Sequence, residues 1–311
     1  MKNKINLYLL TGFLGSGKTT FLKNIIEDLK DKKIGIIQNE FGKISIDGAI
    51  IKGDGLEIVE INRGSIFCSC LKIKFVDAMM QISDKPIEYL FVESSGLADP
   101  SNIGEILEAI TEFKGDVYQY KGAICLIDAP NFLEQINDIE TVNRQLKHCH
   151  LAIVNKIDLV DSQTLMQIRK KISEINNDVD VVETTFGRIK YEFLDKDLLK
   201  NQWVESEDTT NSPENKPKTL SMSYKGEVSK QNLTKFLDII SQDTYRIKGF
   251  FLLEDGWNQV DVVNRRIDFK KWDTVETESQ LVFISKIGPN IIRPIVSTWK
   301  EIIGKEMQLK N

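Results

Sequence analysis

Along the first two hundred residues, short and almost unbroken apolar runs alternate with longer stretches of helical periodicity. The runs are INLYLL (5–10), KIGIIQ (33–38), IEYLFV (87–92), GAICLI (122–127), LAIVN (151–155) and VDVVE (179–183). Runs of this kind predict strands buried on both faces, as in a parallel sheet. Between them, KTTFLKNIIEDLK (18–30) and DSQTLMQIRKKISEI (161–175) read as amphipathic helices. In the second, Leu165, Ile168 and Ile172 share a face and Asp161 or Ser162 supplies the cap. Strands alternating with helices predict an α/β domain with a mainly parallel sheet.

The texture changes after residue 204. ESEDTTNSPENKPK (205–218) has no apolar residue and reads as a linker. Beyond it, KTLSMSY (218–224), RIKGFFLLE (246–254), WNQVDVVNRRIDF (257–269) and SQLVFIS (279–285) read as strands of an antiparallel sheet. Two helical stripes accompany them. One is Leu233, Phe236, Leu237 and Ile240; the other is Ile292, Ile295, Val296, Trp299 and Ile303. Pro294 either sits in the first turn of the last helix or kinks it. The expected organisation is an α/β domain over 1–204, a linker over 205–218 and a small α+β domain over 219–311.

Composition narrows the function classes. The 311 residues are 41% hydrophobic, enough for more than one core. With 41 basic and 46 acidic residues the net charge is −5, which does not suit a general binder of nucleic acid or of a membrane surface. No apolar run approaches the roughly 20 residues that span a bilayer. The apolar run after the opening lysines is short and leads into a glycine loop, so it is read as a strand and not a secretory leader. Four scattered cysteines form no disulfide framework, and a reducing, cytoplasmic location is expected.

GFLGSGKT (12–19) matches G-x-x-x-x-G-K-S/T between a predicted strand and a predicted helix, the context of a P-loop NTPase. Gly12, Gly15 and Gly17 let the backbone curl so that its amides, with those of Ser16 and Thr20, face phosphate oxygens at a helix N-terminus. Lys18 is expected on the β- and γ-phosphates, and the Thr19 hydroxyl on Mg²⁺. NKID (155–158) ends another buried strand. Asp158 can accept from guanine's N1–H and exocyclic amine, a pairing adenine lacks. Asn155 and Lys156 shape the pocket, with the lysine stem along the base. LFVESSG (90–96) ends a third strand, where Glu93 is placed to hold Mg²⁺ or its water and the Gly96 amide to approach a γ-phosphate.

Together GFLGSGKTT, NEFG and IDG (39–48), ESSG and NKID resemble the CobW-type GTPases, relatives of the urease and hydrogenase nickel-insertion GTPases. YRIKGFF (245–251) and LVFIS look like the carboxy-terminal domain of that family. The resemblance implies GTP and GDP as ligands, switch I over Asn39–Asp47, and a contact of Glu40 with Mg²⁺ or a metal cargo. It implies delivery of a metal such as zinc or cobalt to a client metalloenzyme or cofactor-dependent enzyme, with the nucleotide state ordering the switches. The family pattern places Cys-x-Cys-Cys after a glycine. With Gly64 aligned, this chain has Ser65, Ile66, Phe67 and Cys68, and Cys70 lies two residues beyond. Cys68 and Cys70 are then the thiolates available for a transition metal. Two sulfurs are half of a tetrahedral set, so further ligands fall to Glu40, His148, His150 or a second subunit of a homodimer.

His148 and His150 flank Cys149 and carry ligand chemistry, though positions i and i+2 at a helix end diverge, and His148 suits a helix C-terminus. Cys125, inside AICLI, reads as a buried strand residue. Neither Arg63 nor Arg144 lies in a motif that marks a built-in arginine finger, so intrinsic hydrolysis is expected to be slow. The expected function is a Mg²⁺-dependent GTPase acting as a metal or cofactor-insertion chaperone. The alternatives are a regulatory GTPase that controls a partner enzyme (one using cobalamin, for example) without carrying metal, and a P-loop kinase of small molecules.

Overall fold

The first apolar run forms β1 (Ile5–Thr11), the central strand of a parallel sheet. The computed structural model describes residues 4–40, 56–62, 72–96, 100, 103–200, 218–263 and 265–310. The chain divides into two units, Met1–Asn215 and Lys216–Asn311. The predicted linker lies outside the described residues except for Lys218.

In the first unit β1 is followed by α1 (Lys18–Asp28), β2 (Ile34–Glu40), β3 (Leu56–Asn62), α2 (Lys72–Ser83), β4 (Tyr89–Glu93) and α3 (Ile103–Lys114). Then come β5 (Tyr118–Asp128), α4 (Phe132–Asp138), α5 (Glu140–Lys147), β6 (Leu151–Asn155), α6 (Ser162–Ile175) and β7 (Asp180–Glu183). Among the described residues the sheet runs β3-β2-β4-β1-β5-β6-β7, and every pairing is parallel. Each of the six predicted runs coincides with a strand, although Lys33, Ile87, Glu88 and Val179 at their starts lie outside it. β3 was not among them. Its sequence, LEIVEIN, carries Glu57 and Glu60, and it occupies the sheet edge, where a strand need not be apolar on both faces.

Helices cover the sheet because its inner strands present apolar faces on either side. Tyr8 and Leu10 of β1 pack on one face with Phe21, Leu22 and Ile25 of α1. Phe193 and Leu198, from the irregular segment after β7, complete that face. Burying one such side chain stabilises by roughly 1.5–3 kcal/mol, so this layer holds α1, and the loop that opens it, firmly on the sheet. Asp161 caps α6 as expected, accepting from the Thr164 amide at 2.7 Å.

The second unit is a separate antiparallel sheet with two helices. Its elements are β8 (Thr219–Tyr224), α7 (Lys230–Ser241), β9 (Thr244–Leu253), β10 (Gly256–Val263), β11 (Arg266–Lys271), β12 (Ser279–Ser285), α8 (Ile292–Ile302) and β13 (Gln308–Lys310). The strand order is β11-β10-β9-β12-β8-β13. The segment 257–269, read as one strand, is instead a hairpin: Val263 pairs with Arg266, and Arg265 takes φ 65°. Its apolar alternation continues on both sides of the turn, so pattern alone conceals the reversal. Pro294 lies in the first turn of α8, where its missing N–H leaves no helical bond unmade. Trp299 of α8 centres the core, with ring centroids 5.2 Å from Tyr224 and 5.3 Å from Phe236. Among the described residues no helix is long and apolar enough to cross a membrane.

Candidate functional site

The carboxyl ends of the parallel strands converge on one edge of the first unit, the edge where open α/β sheets bind ligands. The Gly12–Gly17 loop leaves β1 there. Glu93 ends β4, Asp128 ends β5, Asn155 ends β6, and Thr184 follows β7.

The loop's shape depends on glycine. Gly12, Gly15 and Gly17 have φ of 132°, 79° and 104°, values that a side chain disfavours. A Cβ on Gly12 would also lie 2.3 Å from the Leu126 carbonyl oxygen. Gly17 is the N-cap of α1 and supplies no side-chain cap, and the first turn holds no acidic residue. Lys18 stands there instead, a cation at the positive end of a helix dipole, which is unfavourable by about 0.3–1 kcal/mol until an anion offsets it. Lys18 is 8% exposed and its ammonium donates to the Gly12 carbonyl at 2.7 Å and the Phe13 carbonyl at 3.2 Å. The Ser16 hydroxyl is buried with no partner among the described residues. A basic helix end, a retained ammonium and an orphaned hydroxyl fit a polyphosphate. Thr20, in the next helical position, is exposed.

Beside this cradle the Thr19 hydroxyl donates to Glu93 Oε1 at 3.0 Å, and the Gln38 amide donates to Glu93 Oε2 at 2.9 Å. The hydroxyl and carboxylate oxygens are hard donors that fit Mg²⁺. Gly96 presses on the phosphate loop: a Cβ there would lie 2.7 Å from the Leu14 amide nitrogen. Its carbonyl accepts from Gln145 Nε2 at 3.3 Å.

The second motif is tied to the first. Asn155 Nδ2 donates to the Ser16 carbonyl at 2.9 Å, and Asn155 Oδ1 accepts from the Gly187 amide at 2.9 Å. Lys156 adopts φ 62°, and its ammonium lies 2.9 Å from Asp128 Oδ1, a carboxylate whose side chain is fully buried. Asn131 Nδ2 donates to the other Asp128 oxygen at 2.8 Å. The pair draws the lysine ammonium toward the buried end of β5, while the side chain stays 33% exposed. Asp158 lies in a short 3₁₀ turn, Ile157–Leu159, and is exposed.

Four contributors were not singled out by motif: Gln38, Asp128, Gln145 and the Thr184–Gly187 turn. Asp128 had a usable signal, a charge closing an apolar run as Glu93 does. The others act through backbone or amide groups and leave no comparable mark.

Glu40 closes β2, and its side chain lies outside the described residues, as do Cys68 and Cys70. His148 is the C-cap of α5 and is buried. His150 is buried as well; its Nδ1 accepts from the Ala123 amide at 3.0 Å, and burial pushes its imidazole down to about 4. Cys125 and Cys149 are buried, and Cys149 Sγ donates to the Leu146 carbonyl at 3.2 Å. Among the described residues no group of three or more His, Cys, Asp or Glu side chains is placed to hold a metal.

Residues 6–183 match the nucleotide-binding domain of the CobW/HypB/UreG family, and residues 218–293 match the cobalamin synthesis protein CobW C-terminal domain. The zinc chaperone YjiA of Escherichia coli (strain K12) is 32% identical over 197 residues, covering 60% of this chain and 59% of that protein. Zinc-regulated GTPase metalloprotein activator 1 of Schizosaccharomyces pombe is 30% identical over 207 residues, covering 62% of this chain and 49% of that protein. The chain thus spans less than two thirds of the length of either relative. A Zn(II)-bound triple mutant of the YjiA GTPase superposes with a TM-score of 0.50 at 22% identity, over 96% of this chain and 99% of that one, a likeness of fold.

Proposed function

Because this chain belongs to the CobW/HypB/UreG family, we propose that it is a Mg²⁺-dependent GTPase that works as a metallochaperone, passing a metal to a client enzyme. The observation that carries the GTPase reading is the Asn155 side chain, bonded at once to the Ser16 carbonyl and the Gly187 amide. That amide makes the base-side turn and the phosphate loop one rigid receptor, spanning a nucleotide from base to polyphosphate.

Each residue has a task in that receptor. The amides of Gly15 to Thr20 and the α1 N-terminus bind phosphate oxygens. The Lys18 ammonium exchanges its carbonyl partners for the β- and γ-phosphates, where it offsets charge that grows as the terminal phosphate leaves to water. Thr19 and Glu93 would hold Mg²⁺, which supplies charge neutralisation at the same oxygens. Gln38 keeps the Glu93 carboxylate oriented. Asp158 reads the guanine edge, and Lys156, held by Asp128, lines the base. Gly96, lying against Leu14, is the point where the terminal phosphate reaches the strand that carries Glu93.

Membership of the family and the zinc chaperones among its relatives support a metal cargo. Cys68 and Cys70 are the proposed thiolates, and Glu40 the proposed link between cargo or Mg²⁺ and the nucleotide. Hydrolysis is proposed to be slow until bound metal or a partner accelerates it, since neither Arg63 nor Arg144 belongs to a finger motif. The cytoplasm is the proposed compartment.

The deciding experiment is a titration of Zn²⁺ and of Co²⁺ into the full chain, with GTP and with GDP. Nucleotide-dependent binding that is lost in a Cys68→Ser/Cys70→Ser double variant supports the chaperone. Guanine-nucleotide binding without any metal uptake supports the regulatory reading instead. Lys18→Ala separates the GTPase itself: phosphate release must disappear in that variant.

A further inference from the structure

Three non-glycine residues among those described have positive φ: Lys156 at 62°, Phe186 at 56° and Arg265 at 65°. Arg265 lies in the hairpin turn between β10 and β11, where such a conformation is expected. The other two flank the base side of the candidate site. Phe186 is the costlier of the pair: a bulky ring in the left-handed region, 70% exposed, with neither a backbone preference nor burial to account for it.

The backbone around that ring is tightly held. Asn24 of α1 donates through Nδ2 to the Phe186 carbonyl at 2.9 Å, and the next residue, Gly187, donates its amide to Asn155. Thr184 bonds its amide to the Val154 carbonyl at 2.9 Å, and its carbonyl accepts from the Ile157 amide at 3.3 Å. The turn is therefore stitched on both sides to the strand and loop that present Asn155, Lys156 and Asp158. A strained, exposed aromatic on an anchored turn is pre-positioned for a flat apolar ligand.

We propose that Phe186 binds the face of the guanine base, a positioning residue that stacks on the ring while Asp158 reads its edge. This rests on the base-binding role given above to Asp158 and Lys156. Stacking depends on the π-face, so Phe186 contributes affinity and Asp158 contributes selectivity.

The test is calorimetric titration of GDP with Mg²⁺ into the full chain, with GTP turnover measured in parallel. Phe186→Ala should weaken GDP roughly tenfold or more, whereas Phe186→Tyr should stay within about threefold of wild type. KM for GTP should rise in F186A with kcat unchanged, the mark of binding shared by ground and transition states. GDP and XDP should weaken by the same factor, because the edge reader is untouched. Phe186→Gly should melt higher than wild type without nucleotide, through relief of the positive φ, yet bind GDP as weakly as F186A. A purely structural phenylalanine predicts the opposite, lower melting with affinity kept, and would overturn the proposal. F186A binding GDP like wild type, beside an Asp158→Asn variant that loses guanine preference, overturns the Phe186 role alone. A wild-type chain with no affinity for guanine nucleotides overturns the base assignment and Phe186 with it.

Discussion

Asn155 donates its side-chain amide to the Ser16 carbonyl at 2.9 Å across 139 positions of sequence. Ser16 belongs to the proposed phosphate loop and Asn155 opens the proposed base-side motif, so one buried amide ties the two halves of the candidate site together. With Gly187 bonded to the same side chain, the phosphate loop, the end of β6 and the turn after β7 share a single fixed point.

Replacing Asn155 with Ala leaves a buried carbonyl and a buried amide without their partner, a cost of about 1–3 kcal/mol for each group left unmet. The variant should melt lower and bind both GDP and GTP more weakly, by similar factors. Thermal melts with and without GDP check this; unchanged affinity would show that the Asn155 link does not hold the receptor together.

Glu93 accepts from Thr19 and Gln38 through its two oxygens, so Glu93→Gln preserves shape and removes charge. The expected outcome is a Mg²⁺ requirement for hydrolysis raised roughly tenfold or more, with GDP binding in the absence of Mg²⁺ little changed. Titrating Mg²⁺ against phosphate release measures it. A mutant with wild-type Mg²⁺ dependence would remove Glu93 from the cation site.

Asp158→Asn exchanges an acceptor for a donor at the base edge. Preference for GTP over XTP should fall by roughly tenfold or more, while melting stays near wild type because Asp158 is exposed. Competition binding with GTP, XTP and ATP decides it. Intact guanine selectivity would mean that another group reads the base.

Gly96→Ala tests the contact between the Glu93 strand end and the phosphate loop. The added Cβ would lie 2.7 Å from both the amide nitrogen and the Cδ2 of Leu14, so the loop must shift. Overpacking of this kind costs about 1–3 kcal/mol, and nucleotide affinity should fall with stability. Equal melting and equal affinity would contradict the close approach.

His150 predicts a pH effect. Burial holds its imidazole down to about 4, against an ordinary value of 6.5. The unfolded chain therefore takes up a proton near pH 6.5 that the folded chain refuses until near pH 4. Stability from this group is fully present above pH 6.5 and is lost as pH falls toward 4, by an amount on the order of 3 kcal/mol. Urea melts across that window measure it. His150→Gln should be less stable at neutral pH, because the Ala123 amide loses its ring acceptor, and should lose about one proton of pH dependence. An unaltered pH slope in the variant would assign the effect elsewhere.

Much of this was legible before any coordinates. Strands buried inside a parallel sheet must be apolar on both faces, so β1, β2, β4, β5 and β6 announced themselves as continuous runs; β7 was read from such a run too, yet it lies at the sheet edge with its residues exposed or half-buried. The glycines at 12, 15 and 17 and the sequence NKID point to phosphate and base because few other residues can provide those backbone angles and that edge. Local pattern failed where its physical basis weakens. β3, at an edge, tolerates Glu57 and Glu60, and the β10–β11 hairpin keeps its alternation through the turn.

By itself, then, the sequence determined the class of fold and marked the loop proposed for phosphate and the motif proposed for guanine, because these depend on local periodicity and on a few chemically distinctive residues. Tertiary structure alone decided how they combine. That Asn155 bonds Ser16, that Asp128 pairs with Lys156, that Gln38 bonds Glu93, and that the turn carrying Phe186 is tied to Asn155 through Gly187 are relations between segments distant in sequence. Amides, carbonyls and a single aromatic ring carry no signal in a linear pattern; they acquire one only when a parallel sheet gathers its carboxyl ends at one edge.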